Sequence, residues 1–178
     1  MVVRYYVSTT TRNLKGEFCS PFFYGGKMFK PVRCNNYEPT PYVRKHLPKF
    51  AEAGTALDLG CGNLRNTKFA ESLGYYVWPF DKGGDYGIKL DLGKEIIPLE
   101  EKVDLILCNY VMCFLTNQER RHLAKEIERF SKSGTYLILE MYSAKQGVPY
   151  NMNEIRSLFS DWETIHNEKD RFVLKKIS

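Results

Sequence analysis

The stretch Leu57-Asp58-Leu59-Gly60-Cys61-Gly62-Asn63-Leu64-Arg65-Asn66 runs an apolar strand into two closely spaced glycines and then into a helix-like segment. Glycines at 60 and 62 permit a tight turn and let a ligand approach the backbone at the open carboxyl end of the strand. Three features set it apart from the G-x-G-x-x-G turn that seats a dinucleotide pyrophosphate. Arg65 takes the place of the third glycine, which in that turn allows close packing of helix on strand. Asp58, two residues before Gly60, puts a carboxylate where it stabilises a cationic amino group and repels a pyrophosphate. Asp81 follows a second apolar run and stands about 20 residues beyond Gly60, the spacing at which an acidic side chain reaches ribose hydroxyls. The ligand these residues describe is a nucleoside joined to a cationic amino acid, as in S-adenosylmethionine (SAM).

Outward from this turn, apolar runs of strand length alternate with helix-like segments, the pattern of a mainly parallel sheet covered on both faces. The expected strands are Thr55–Leu59, Tyr75–Phe80, Ile88–Leu90, Val103–Cys108, Thr135–Glu140, Glu163–His166 and Arg171–Lys175. Thr116-Asn117-Gln118-Glu119 has capping-box form, and Leu123, Ile127 and Phe130 follow at helical spacing, with Ser133-Gly134 as the expected stop. A helix also precedes the first strand, with Thr40 as N-cap, Pro41 at its first position and Pro48 to kink or end it. The last two strands are separated by the short polar stretch Asn167 to Asp170, too short for a parallel crossover, so they form an antiparallel hairpin. The expected fold is therefore α/β and Rossmann-like, a seven-stranded, mainly parallel sheet with a C-terminal antiparallel hairpin and helices on both faces.

With 178 residues, 43% of them hydrophobic, the chain is of a size for one globular domain. Residues 1–50 read as an N-terminal extension and helix, residues 51–178 as the cofactor-binding core. The first 40 residues carry Arg4, Arg12, Lys15, Lys27, Lys30 and Arg33 against Glu17 and Glu38, with Tyr5, Tyr6, Phe18, Phe22, Phe23, Tyr24, Phe29 and Tyr37 among them. No helical period emerges there; irregular structure or a short hairpin is expected, with a lid over the site as its functional version. The excess of positive charge reads either as a solvated face or as a footprint for a polyanion such as nucleic acid. Five cysteines without C-x-x-C spacing point to reduced thiols and a cytoplasmic setting; Met1–Tyr6 does not read as the start of a secretory leader, no run approaches membrane length, and a soluble chain is expected.

Downstream, Lys89-Leu90-Asp91-Leu92 is placed so that Asp91 either meets an adenine amino group or caps a turn at a strand end. The strand Val103–Cys108 delivers Asn109-Tyr110-Val111-Met112 to the same edge of the sheet, where a transferable methyl would lie. That loop lacks the Asp/Asn-Pro-Pro-aromatic motif that orients exocyclic amines of bases, which disfavours amino methylation of DNA. Cys108 and Cys113 sit among apolar residues and read as buried thiols. His46, His122 and His166 lie on separate elements without metal-ligand spacing; no metal and no general base is expected from them, and His122 is read as solvent-facing.

These residues resemble the tellurite-resistance branch of class I methyltransferases, through Leu57–Asn63, Arg65-Asn66, Gly74-Tyr75, Asp81-Lys82, Val111–Leu115 and Glu154-Ile155-Arg156 leading to Trp162-Glu163. The resemblance spans roughly residues 54–178. It implies a SAM cofactor, left as S-adenosylhomocysteine (SAH), with Asp58, Gly60 and Gly62 at the methionine portion, Asp81 at the ribose, Asp91 and Leu92 at the adenine, and Asn109 and Tyr110 along the ribosyl-methionine side. Cys61, Asn63 and Lys82 complete the cofactor set, and Tyr37, Val111, Met112 and Phe114 are the acceptor-facing candidates. Leu64 stands where that branch has a glycine, Tyr142–Tyr150 is shorter than the matching acceptor cover, and the first 50 residues differ. The expected activity is methyl transfer to a small-molecule acceptor, a soft oxyanion or thiol-like nucleophile. The alternatives are a methyltransferase acting on RNA, DNA or protein through the basic aromatic segment, and a non-catalytic SAM-binding module.

Overall fold

The computed structural model describes residues 22–24, 27–29, 38–50, 53–83, 86–141 and 148–177. The chain divides into two compact units, Met1–Asn36 and Tyr37–Ser178. In the first, β1 (Phe22–Tyr24) and β2 (Lys27–Phe29) pair antiparallel, the short hairpin expected in the aromatic segment. The rest of that segment lies outside the described residues.

The second unit opens with α1 (Pro41–His46), capped as expected: the Thr40 hydroxyl oxygen accepts the Val43 N–H at 3.3 Å and Pro41 fills the first position. Pro48 ends the α-helix, and Leu47–Lys49 continue as a 3-10 turn. The chain then runs through β3 (Thr55–Leu59), α2 (Arg65–Ser72), β4 (Tyr76–Asp81), β5 (Ile88–Lys89), β6 (Val103–Asn109), α3 (Asn117–Phe130), β7 (Ser131–Glu140), α4 (Met152–Ser157), β8 (Trp162–Glu168) and β9 (Arg171–Lys176). All seven expected strands are present. They form one sheet in the order β5-β4-β3-β6-β7-β9-β8, with β9 antiparallel to both its neighbours and the first five strands parallel.

The near-continuous burial of β3 and β6 is what a parallel sheet covered on both faces requires. From β3 the chain moves through α2 to β4; from β6 it moves the opposite way through α3 to β7. Right-handed crossovers in opposite directions put α2 and α3 on opposite faces of the sheet. α1 shares the face of α2, where Tyr42, Val43 and Leu47 pack with Ala56, Ala70, Val77, Leu105, Leu107 and Ile138. On α3 the spaced residues Leu123, Ile127 and Phe130 are all fully buried.

The expected stop for α3 at Ser133-Gly134 is corrected. The helix ends at Phe130 and β7 begins at once, because Ser131 turns extended and its hydroxyl donates to the Ile127 carbonyl at 2.7 Å. Residues Lys132 to Gly134 bulge out of the ladder between the pairs Val103–Ser131 and Leu105–Tyr136. Gly134 there has φ 90°, and the Thr135 hydroxyl ties the bulge down by donating to the Val103 carbonyl at 2.6 Å.

Strand order reverses direction between β3 and β6. In open α/β sheets the crevice outside the carboxyl ends at such a point is where ligands bind.

Candidate functional site at the carboxyl ends of β3, β4 and β6

At the end of β3 the chain turns through three left-handed residues, Gly60 (φ 79°), Gly62 (φ 51°) and Leu64 (φ 66°), before α2 starts. The Gly60 and Cys61 amides both donate to the Phe80 carbonyl, at 2.7 and 3.0 Å, which anchors the turn to β4. A side chain on Gly60 would collide with the Val111 methyl, whereas beside Gly62 the space is open. The turn thus presents bare backbone to the crevice at Gly62 and is backed by Val111 at Gly60. Leu64 adopts the conformation a glycine takes without steric penalty, which accounts for a glycine at this place in the branch the sequence resembles.

Asp81 ends β4, half-buried. Its carboxylate accepts the Gly62 N–H at 2.9 Å and the Gly83 N–H at 2.8 Å, and an ionised carboxylate retains acceptor capacity for hydroxyls beyond these two. Asp58, by contrast, is fully buried under α2, where it accepts the Thr67 hydroxyl at 2.5 Å and the Thr67 backbone N–H. It caps the first turn of a helix whose N-cap residue, Leu64, supplies no side-chain cap. Burial pushes its carboxyl up to about 6, against the Thr67 hydrogen bonds and with the help of the nearby Asp81 charge.

At the end of β6, Asn109 is buried and Tyr110 is half-buried with φ 61°. Asn109 accepts from Asn66 on α2 at 3.1 Å and donates to Glu140 at 3.0 Å. The Tyr110 hydroxyl donates to the other Glu140 oxygen at 3.1 Å. Strand register sets Asp81, Gly60, Asn109 and Glu140 in that order along one edge of the sheet.

Other candidates are placed as follows. Asn63 and Lys82 are exposed beside the turn, and the Cys61 side chain is buried. Asp91 caps a turn, accepting the Gly93 N–H at 3.2 Å, the second of its two sequence readings, and Leu92 is buried. Val111 is half-buried against Gly60 and Phe114 is exposed. Met112, read as acceptor-facing, is fully buried, and its carbonyl accepts Arg120 Nε at 2.8 Å. Tyr37 lies outside the described residues. Cys108 and Cys113 are fully buried, as expected, and burial pushes the Cys108 thiol up. His122, read as solvent-facing, is partly exposed on its helix, with Nε2 3.0 Å from the Glu95 carbonyl. His46 and His166, on separate elements, lie with their rings tilted at 46° and their centroids 4.3 Å apart. Among the described residues no cluster of His, Cys, Asp and Glu is arranged to hold a metal ion, and no helix is long and apolar enough to cross a membrane.

Two residues were missed by sequence reasoning. Glu140 is the one charged residue in the run Thr135–Met141, and that isolation at a strand's carboxyl end was the available signal. Arg120 is buried and donates to the carbonyls of Met112, Val148 and Pro149, joining the loop after β6 to the segment before α4. Two open surface depressions, of 280 and 350 Å³, lie beside α4 and β8 and include no residue of the glycine turn.

Fold and edge geometry together define a Rossmann-like class I methyltransferase fold. The chain is similar to TehB: it is 24% identical to the probable S-adenosyl-L-methionine-dependent methyltransferase TehB of Haemophilus influenzae, over 67% of this chain and 50% of the relative. The chain spans about half the length of the curated relatives it matches. The crystal structure of TehB from H. influenzae superposes with a TM-score of 0.62 at 17% identity, over 75% of this chain and 61% of that one. The 1,6-didemethyltoxoflavin-N1-methyltransferase of Burkholderia thailandensis, solved with 1,6-didemethyltoxoflavin and SAH bound, superposes with a TM-score of 0.63 at 11% identity, over 78% of each chain. No family model matches the chain.

Proposed function

We infer that the chain is a SAM-dependent methyltransferase acting on a small molecule. The observation that carries this reading is the glycine turn at the switch point, with the Gly62 amide held by the Asp81 carboxylate and open space beside Gly62. The residues fit the cofactor. Gly62 leaves room for its approach, Asp81 offers acceptors to the ribose hydroxyls, and Asn109 and Tyr110 would wall the other side of the turn. When bound, SAM supplies a methyl group on a sulfonium, open to in-line attack by a nucleophile.

The chain's own part is positioning, which can supply a large share of such a rate enhancement. The loop Tyr110-Val111-Met112-Cys113-Phe114 contains no His, Asp, Glu or Lys. An acceptor that is nucleophilic without a general base, such as an oxyanion or thiolate, suits this loop. The superposition on the 1,6-didemethyltoxoflavin-N1-methyltransferase, an enzyme of a small acceptor, supports the small-molecule reading. The basic, aromatic residues 1–40 favour a second reading, a macromolecular acceptor such as RNA.

Calorimetry with SAH tests the cofactor; absence of binding would remove the reading. Transfer of labelled methyl from SAM into separated pools of RNA, DNA, protein and small molecules tests the acceptor. Label in small or volatile products supports the first reading, and label in a macromolecule supports the second.

A further inference from the structure

Glu140 is fully buried, and a buried carboxylate persists only when it is hydrogen-bonded or paired. Its Oε1 takes the Thr40 hydroxyl and, at 3.0 Å, Asn109 Nδ2; its Oε2 takes the Tyr110 hydroxyl at 3.1 Å and lies 3.4 Å from Arg171 Nε. The Thr40 N–H donates to Asn66 Oδ1 at 3.0 Å, and Asn66 Nδ2 to Asn109 Oδ1 at 3.1 Å. These bonds close a ring through Thr40, Asn66, Asn109 and Glu140 that ties α1, α2, β6 and β7 together behind the glycine turn.

Tyr110 is the strained member, a non-glycine residue at φ 61°. Such a conformation persists where its surroundings over-determine it. Glu140 does so from both ends, its carbonyl accepting the Tyr110 N–H at 2.7 Å and its carboxylate accepting the Tyr110 hydroxyl. On the other side of the turn, Asp81 lies at the far end of the same edge. A cofactor whose nucleoside was held at Asp81 and which extended across the turn would bring its amino-acid end to Asn109 and Tyr110.

We propose that Glu140 is a positioning residue for the amino-acid end of the cofactor, acting through Tyr110 and Asn109. The proposal rests on the cofactor reading above. Both Asn109 and Tyr110 would then present fixed faces to the ligand, and neither would need to be ordered as it binds.

The test is calorimetry on the wild type, Tyr110→Phe, Glu140→Gln and the double variant, with SAH and with 5′-methylthioadenosine, which lacks the amino-acid portion. Each single variant is expected to weaken SAH by about tenfold while 5′-methylthioadenosine changes by less than about twofold. The double variant should bind SAH no more weakly than Glu140→Gln, because the two changes remove one coupled interaction. Equal weakening of both ligands, unchanged SAH affinity or an additive double variant would overturn the proposal. If Glu140→Gln does not fold, Tyr110→Phe with the two ligands decides it. A wild type that binds no SAH removes the cofactor reading and this inference together, whereas normal wild-type binding with unaffected variants removes the inference alone.

Discussion

Asp81 accepts the Gly62 N–H at 2.9 Å, so the carboxylate proposed to meet a ribose also holds the glycine turn in shape. Asp81→Ala removes both contributions. It is expected to weaken SAH binding by roughly 1–3 kcal/mol, the range for loss of hydrogen bonds to a charged group. Asp81→Asn, which keeps one acceptor for the Gly62 amide, should lose less. Calorimetry on variants whose circular dichroism matches the wild type measures both, and unchanged affinity in Asp81→Ala would place the nucleoside elsewhere.

A side chain at Gly60 faces two obstacles, a φ of 79° and the Val111 methyl. The left-handed conformation alone costs roughly 1–2 kcal/mol for a residue with a Cβ, and overpacking adds about 1–3 kcal/mol. Gly60→Ala should lower stability by a sum of that order and weaken SAH binding. Pairing it with Val111→Ala should recover the steric part and leave the backbone part. Denaturant midpoints of the two single variants and the double variant resolve the two contributions.

Leu64 presents the opposite balance. Leu64→Gly relieves about 1–2 kcal/mol of left-handed strain, but Leu64 is 7% exposed, and removing a buried leucine forfeits about 2–3 kcal/mol of burial. Burial wins, so the substitution is expected to destabilise the chain by about 1 kcal/mol even though it restores the glycine of the related pattern. A urea midpoint above that of the wild type would show that strain dominates.

Much of this architecture was readable because it rests on local signals. The seven strands follow from apolar runs, the start of α3 from Thr116 and Glu119, the start of α1 from Thr40 and Pro41, and the C-terminal hairpin from the short Asn167 to Asp170 connection. The end of α3 was misjudged because it depends on Ser131 and Thr135 hydroxyls reaching backbone carbonyls, one of them on β6. Asp58 illustrates a second limit. Its place before Gly60 marks the turn, but only the packing of α2 brings it to Thr67. Glu140 meets Thr40 and Asn109 through pairings distant in sequence, and spacing carries no record of such contacts.

Two buried groups give stability opposite pH slopes over nearly the same range. Burial raises the Asp58 carboxyl from 3.8 to about 6, against the Thr67 hydrogen bonds and with repulsion from Asp81. Between those values the folded chain holds a proton that the unfolded chain has lost, so this group's contribution is full below about pH 4 and is lost as pH rises through about 6. The loss is on the order of 3 kcal/mol. Burial lowers His46 from 6.5 to about 4, with repulsion from His166, Lys49 and Lys45, and its Nε2 has no hydrogen-bond partner among the described residues. Here the unfolded chain takes up the proton first, so stability is lost as pH falls from about 6.5 towards 4. Asp58→Asn, whose amide oxygen still accepts from Thr67, should therefore gain stability relative to the wild type as pH rises from about 4 to about 6. His46→Gln should gain relative to the wild type as pH falls over the same interval. Urea unfolding of the three proteins at closely spaced pH values tests both signs at once, and parallel curves would mean that neither group titrates in the folded chain as its burial dictates.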